Sequence, residues 1–192
     1  MATRPFPTDR HSVEGSLQAD RPAAGRTNRY QLQVVGSGIA EVVESAGGWL
    51  CDRVRAGWDV NVLVADHQDA RPLTILGATA LDLDAEFASI MRTASRGGAV
   101  AVSAGLLAAD ARVRDEVLRL LKRGVTEIIV WGDEWPAELG RRVDPVQRQM
   151  SNAAKAFKAH ALGAAAVRTD SIAPVETLFY LGAESFRPLY SV

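Results

Sequence analysis

Gly36-Ser37-Gly38 follows the apolar pair Val34-Val35 and precedes a helical pattern that opens at Ile39. Two glycines at that spacing give a tight turn, and they let an anionic ligand approach the backbone N–H groups of a helix N-terminus. Asp66, His67 and Asp69 follow a second apolar run. They offer two carboxylates and an imidazole, the groups used for acid–base work or for holding a hard or borderline metal ion. Lying so close in sequence, they cannot surround an ion without distant partners, and no metal site is assigned. Asp133, beside Glu134 after another apolar run, is the distant carboxylate that would join them if the two strands lie close. Ser37 and Ser103 lack the G-x-S-x-G setting of a serine nucleophile. Cys51 is the sole cysteine and sits beside Leu50 on a helical stripe, the setting of an inert thiol. The candidate ligand-binding set is therefore Gly36, Ser37, Gly38, Asp66, His67 and Asp133, with no catalytic residue and no cofactor assigned.

Nothing in the chain has the form G-x-x-x-x-G-K-[ST], so the glycine turn is not a P-loop. Gly36 and Gly38 match the first two glycines of the dinucleotide-binding fingerprint. Glu41 stands where that fingerprint takes a small residue, and a bulky acid there crowds helix–strand packing or repels phosphate. A phospho-receiver is also excluded. The first strand ends in Gly-Ser-Gly where carboxylates would be needed, and no lysine follows the last strand.

A second group of residues suits contact with other molecules. Arg141, Arg148 and Lys155 are spaced by seven in a stretch, Arg141 to Arg168, whose single acid is Asp144. On a helix they share a face, able to meet phosphates or an acidic partner. Trp135-Pro136 offers an aromatic recognition surface. Phe179, Tyr180 and Tyr190 belong to an apolar C-terminal segment that must cover the domain, pair with its sheet edge or dock on another chain.

The elements that would position these groups follow from periodicity. Residues 1–29 have three prolines and little apolar patterning, which predicts a disordered arm. An α/β domain is expected over 30–140. Its strands are expected at Tyr30–Val35, Trp58–Ala65, Pro72–Leu76, Ala99–Ser103 and Val125–Trp131. Its helices are expected at about Ile39–Val54, Asp82–Arg96 and Asp110–Arg123. Gly47 and Gly48 fall inside the first helix at about 1 kcal/mol each relative to Ala. A close helix–sheet approach or a break in the helix must offset them. The short loop before Pro72 predicts an antiparallel or edge strand. Asp144-Pro145 reads as a helix start, giving a basic amphipathic helix within 141–169 that buries Val146, Met150, Ala153, Phe157 and Ala161. The apolar segment 170–192 follows.

The fold class expected is thus a three-layer, Rossmann-like α/β sandwich with a mixed, mainly parallel five-stranded sheet. A chain of 192 residues with net charge −1 has the composition of a globular protein. One cysteine excludes an intramolecular disulfide and a cysteine-based zinc site. No apolar leader opens the sequence and no run is long enough to span a bilayer, which predicts a cytoplasmic protein without membrane contact. Incomplete catalytic sets at the strand ends, with an arm and an apolar tail, lead to the expectation of a non-enzymatic regulatory or assembly protein with a protein partner or a homo-oligomeric state. Two alternatives accompany it. One is a small nucleotide- or phosphate-binding enzyme at Gly36-Ser37-Gly38. The other is a nucleic-acid-binding accessory protein that uses the basic helix.

Overall fold

The computed structural model describes residues 30–95, 98–133, 135–140, 143–168 and 172–181. The expected disordered arm, Glu134, Arg141 and Tyr190 lie outside them. One mixed sheet of seven strands runs through the described residues in the order β3-β2-β1-β4-β5-β7-β6. The first five strands are β1 (Gln31–Val35), β2 (Asp59–Val64), β3 (Thr79–Asp82), β4 (Ala99–Ser103) and β5 (Glu127–Trp131). The pairings among these five are all parallel. The last two are β6 (Val146–Gln149) and β7 (Val175–Leu181), and β7 runs antiparallel to both β5 and β6. The expected mixed, mainly parallel architecture stands, with seven strands in place of five.

Helices cover both faces. On one face α1 (Ile39–Arg55), α2 (Arg71–Leu76) and α6 (Asn152–Ala164) bury Val43, Leu50, Leu73, Leu76 and Leu162 over Leu32, Val34 and Val62. On the other face α3 (Leu83–Ala94), α4 (Ala104–Ala109) and α5 (Ala111–Arg123) bury Phe87, Met91, Leu107 and Val117 over Val35, Leu63 and Val102. Strands buried on both faces explain the nearly continuous Val, Leu and Ile runs.

Two expected elements are corrected. Residues 72–76 are helical, not a strand. Pro72 lies in the first turn of α2, where its missing N–H costs nothing, and Gly77 ends the helix at a left-handed φ of 81°. The whole of 65–78, not the short loop before Pro72, is the crossover, and it is long enough to bring β3 in parallel. The expected helix from Asp144 is β6 instead. Its register places Arg148 opposite Glu176, so β6 covers the edge that β7 would otherwise leave bare. The helix begins after Ser151, whose side chain accepts from the Ala154 N–H, an N-cap that the Asp144-Pro145 pair obscured. Arg148 and Lys155 therefore do not share a helical face.

The glycine pair of α1 has a specific cause. The helix runs unbroken through it. A Cβ on Gly48 would lie 1.9 Å from Met150 Sδ and 3.2 Å from Glu176 Oε1. The Glu176 carboxylate accepts from the backbone N–H of Gly48 at 2.9 Å and of Trp49 at 2.6 Å. Lys158 Nζ donates to Glu176 Oε1 and to the Glu44 carbonyl, both at 2.6 Å. This pair is buried, with side-chain exposures of 6% for Lys158 and 2% for Glu176. The expected inward face of α6 is rotated to suit it: Lys158 is inside and Phe157 is exposed. Gly48→Ala, which gains about 1 kcal/mol in an open helix, is expected to lose about 1–3 kcal/mol here through overpacking. Urea unfolding midpoints read the sign directly.

Candidate functional site at the strand C-terminal rim

The five parallel strands stand in the order 3-2-1-4-5, the doubly wound arrangement in which ligands lie outside the carboxyl ends of the strands. Those ends carry Gly36-Ser37-Gly38 after β1, Asp66-His67-Gln68-Asp69 after β2, Asp82 at the end of β3, Ser103 at the end of β4 and Gly132-Asp133 after β5.

A cavity of about 360 Å³ opens on this rim. Its walls include Gly38 and Ile39 at the start of α1, Asp66 and Asp69 after β2, Pro72 of α2, and Ala166 just past α6. That volume lies within the usual range for a small-molecule site. The fold therefore unites Gly38 with Asp66, as their positions after neighbouring strands suggested. Asp69 joins them.

The two glycines of the turn do different work. A Cβ on Gly36 would come within 2.2 Å of Val42 Cγ2, so Gly36 serves strand–helix packing. Gly38 is extended at φ −175°, and a Cβ there would meet nothing within 4 Å. Neither backbone nor packing demands glycine at 38. It leaves open the lip of the cavity, and α1 has no side-chain N-cap. Its first-turn N–H groups face the rim as unsatisfied donors do at any helix start. Gly38→Ser is expected to hold or slightly raise the unfolding midpoint, since serine caps a few tenths of a kcal/mol better than glycine. The same change narrows the lip.

Glu41, the departure from the dinucleotide fingerprint, has a structural role. It accepts from the Ser37 hydroxyl at 3.3 Å and from the Trp131 indole N–H. The turn after β1 is thereby tied to the end of β5.

His67 turns away from the cavity walls toward β3. Its Nδ1 is 3.8 Å from Asp82 Oδ2, and it is buried without a hydrogen bond among the described residues. Asp82 caps α3 by accepting from the Ala85 N–H at 2.8 Å. That backbone bond holds the Asp82 carboxyl below the usual carboxylate range, so it stays anionic beside His67. Asp66 and Asp69 each accept from a backbone N–H two residues on, which fixes the loop. Ala166 adopts a left-handed φ of 56° at the cavity wall, a conformation that disfavours residues other than glycine.

Other expected site residues lie elsewhere. Asp133 is exposed after β5, three strand spacings or about 14 Å from β2. It does not join the Asp66 loop. Phe179 is buried, with the Trp135 ring edge-on at 5.4 Å, and the Trp135 indole N–H donates to the Gly140 carbonyl. Both serve packing. Tyr180 accepts from Arg148 Nε at 3.1 Å at the far end of the sheet. Among the described residues no three His, Cys, Asp or Glu side chains converge as a metal site. Also among them, no helix is long and apolar enough to cross a membrane. Asp82 was the residue that sequence reasoning missed. Its carboxylate reads as one of several acids opening a helix, and only the parallel placement of β3 brings it to His67.

Neither a family model nor a curated protein matches the chain. Solved structures do. A triple mutant of a deacetylase of the teicoplanin biosynthetic pathway matches at TM-score 0.57 and 10% identity, over 81% of this chain and 100% of that one. A deacetylase–teicoplanin complex matches at 0.56 and 11%, over 78% and 97%. The zinc-inhibited form of teicoplanin deacetylase matches at 0.55 and 10%, over 78% and 97%. The likeness is one of fold. It overturns the expectation of a non-enzymatic regulatory or assembly protein built for interaction, because the chain shares its architecture with enzymes over nearly their whole length. The basic-helix reading falls separately, since Arg148 lies on a strand.

Proposed function

We propose that this chain is a hydrolase that removes an acyl group from an amine on a hydroxyl-rich substrate, working at the strand C-terminal rim. The observation that carries this reading is a cavity that joins the start of α1 to an acidic loop, with an imidazole on that loop just outside the cavity wall. The start of α1 is uncapped, the acids are Asp66 and Asp69, and the imidazole is that of His67, beside Asp82. The deacetylase neighbours supply the reaction class as an analogy of fold.

In this reading the Asp82 carboxylate, 3.8 Å from Nδ1, acts on His67 by its charge and not through a hydrogen bond, and the imidazole takes a proton from water. The water oxygen attacks the acyl carbon, the oxyanion lies against the N–H groups of α1, the C–N bond breaks, and the proton passes to the departing amine. Asp66 and Asp69 accept from hydroxyl or ammonium groups of the substrate. With Glu41 on the first turn, they place three acids around the helix start, a setting that repels phosphate. A neutral or cationic substrate fits this wall, and a nucleotide does not.

The test is amine release from a panel of N-acetylated amino sugars and N-acyl amino acids, followed by fluorescamine. Turnover of at least one member, abolished in the His67→Asn chain, is the expected result. A folded chain with no turnover of any member would remove the reading.

A further inference from the structure

At the opposite end of the sheet, the last turns of α1 face β6 across a separate cavity of about 180 Å³, lined by Trp49, Asp52, Arg53, Arg148, Gln149 and Met150, among others. Its two guanidinium groups are held by aromatic faces. Arg53 lies 5.6 Å from the Trp49 ring and 4.9 Å from the Trp58 ring, and Tyr30 stacks on Trp58 at 5.2 Å. Arg148 lies 5.2 Å over Tyr180 and bonds its hydroxyl. Among the described residues neither arginine has a carboxylate at ion-pair distance. Asp52 is engaged elsewhere, accepting from the Ser151 backbone N–H at 3.1 Å and its hydroxyl at 2.6 Å.

Trp49 forms part of the wall, but its indole N–H does not open on the cavity. The residue is 5% exposed, and that N–H is buried without a hydrogen bond among the described residues. Glu127 feels both arginines, and burial raises its carboxyl above the usual range against their pull. Two pre-set cationic forks in one wall describe an acceptor-poor site.

We propose that this cavity binds a small oxyanion, a carboxylate or a phosphate group, between Arg53 and Arg148. The site is separate from the rim and does not depend on the reaction proposed there.

The experiment titrates inorganic phosphate and, in a parallel arm, acetate into the full chain at constant ionic strength set with chloride. Tryptophan fluorescence and calorimetry are the readouts. Saturable binding by at least one of the two is expected. Arg148→Gln is expected to weaken it at least tenfold, and Arg53→Gln likewise. Arg148→Lys, which keeps the charge on an exposed edge strand but loses the fork, is expected to weaken it several-fold with an unchanged near-UV spectrum. Preference for one anion over the other identifies the ligand class. No saturable change with either anion, or equal affinity in wild type and folded Arg148→Gln, would overturn the proposal. So would a crystal structure with a segment of this chain filling the cavity.

Discussion

Glu176→Ala is expected to destabilise the fold by about 3–5 kcal/mol, the range for removing one partner of a buried ion pair. The side chain accepts from Lys158 and from two backbone N–H groups of α1. Its loss leaves an ammonium group in the core with the Glu44 carbonyl as its remaining partner among the described residues, and it strips two acceptor contacts from the centre of a helix. A domain of this size has about 5–15 kcal/mol in total, so the variant should be partly unfolded in mild urea. Lys158→Met tests the same pair from the other side. It should cost less than Glu176→Ala, because the two N–H groups of α1 still answer the carboxylate. The double variant Lys158→Met with Glu176→Ala should lose less than the two single losses added together, since neither charge is left alone. Urea midpoints at neutral pH supply all four corners. A loss below about 1 kcal/mol for Glu176→Ala would mean that water reaches the pair and that the core is not closed there.

His67→Asn should lower kcat/KM for acyl-amine hydrolysis by about 10²–10⁴-fold, the usual contribution of a positioned acid–base group. The fold should be unaffected, since the His67 side chain is 42% exposed and makes no hydrogen bond to Asp82. Asp82→Asn is the companion variant. Asp82 is a positioning residue, so its change should fall mainly on kcat with KM nearly unchanged. The loss should also be smaller than for His67→Asn. A merely structural Asp82 would instead leave kcat unchanged in this variant, because asparagine caps the start of α3 as well as aspartate does. Equal kcat/KM for wild type and His67→Asn would remove the imidazole from the reaction.

The parallel core was legible because β1, β2, β4 and β5 are apolar runs, three of them followed closely by glycine or acid, and α1 and α5 carry clear stripes. The two misread segments share a cause. At Arg71–Leu76 a proline after a short loop reads as an edge strand. Helix is decided by the depth of Pro72, Leu73 and Leu76 beneath α1 and α6, a tertiary fact. At Asp144-Pro145 a strong local helix signal yields to the open edge of β7.

Lys158 hid for a related reason. A lysine in a helical pattern reads as solvated until a buried carboxylate from a later strand is placed against it, and that displaced Phe157 to the surface. At the rim, Gly38 and Asp66 could be gathered from strand-end position alone. The pairing of His67 with Asp82 could not, because it depends on β3, which the short-loop argument had replaced.

The measurement that bears most directly on the central claim is a crystal structure of the His67→Asn chain soaked with an N-acetylated amino sugar. The predicted result places the acetyl carbonyl against the N–H groups at the start of α1, with sugar hydroxyls on Asp66 and Asp69. An acetyl group seated elsewhere on the molecule, with the rim cavity filled by solvent, would contradict it.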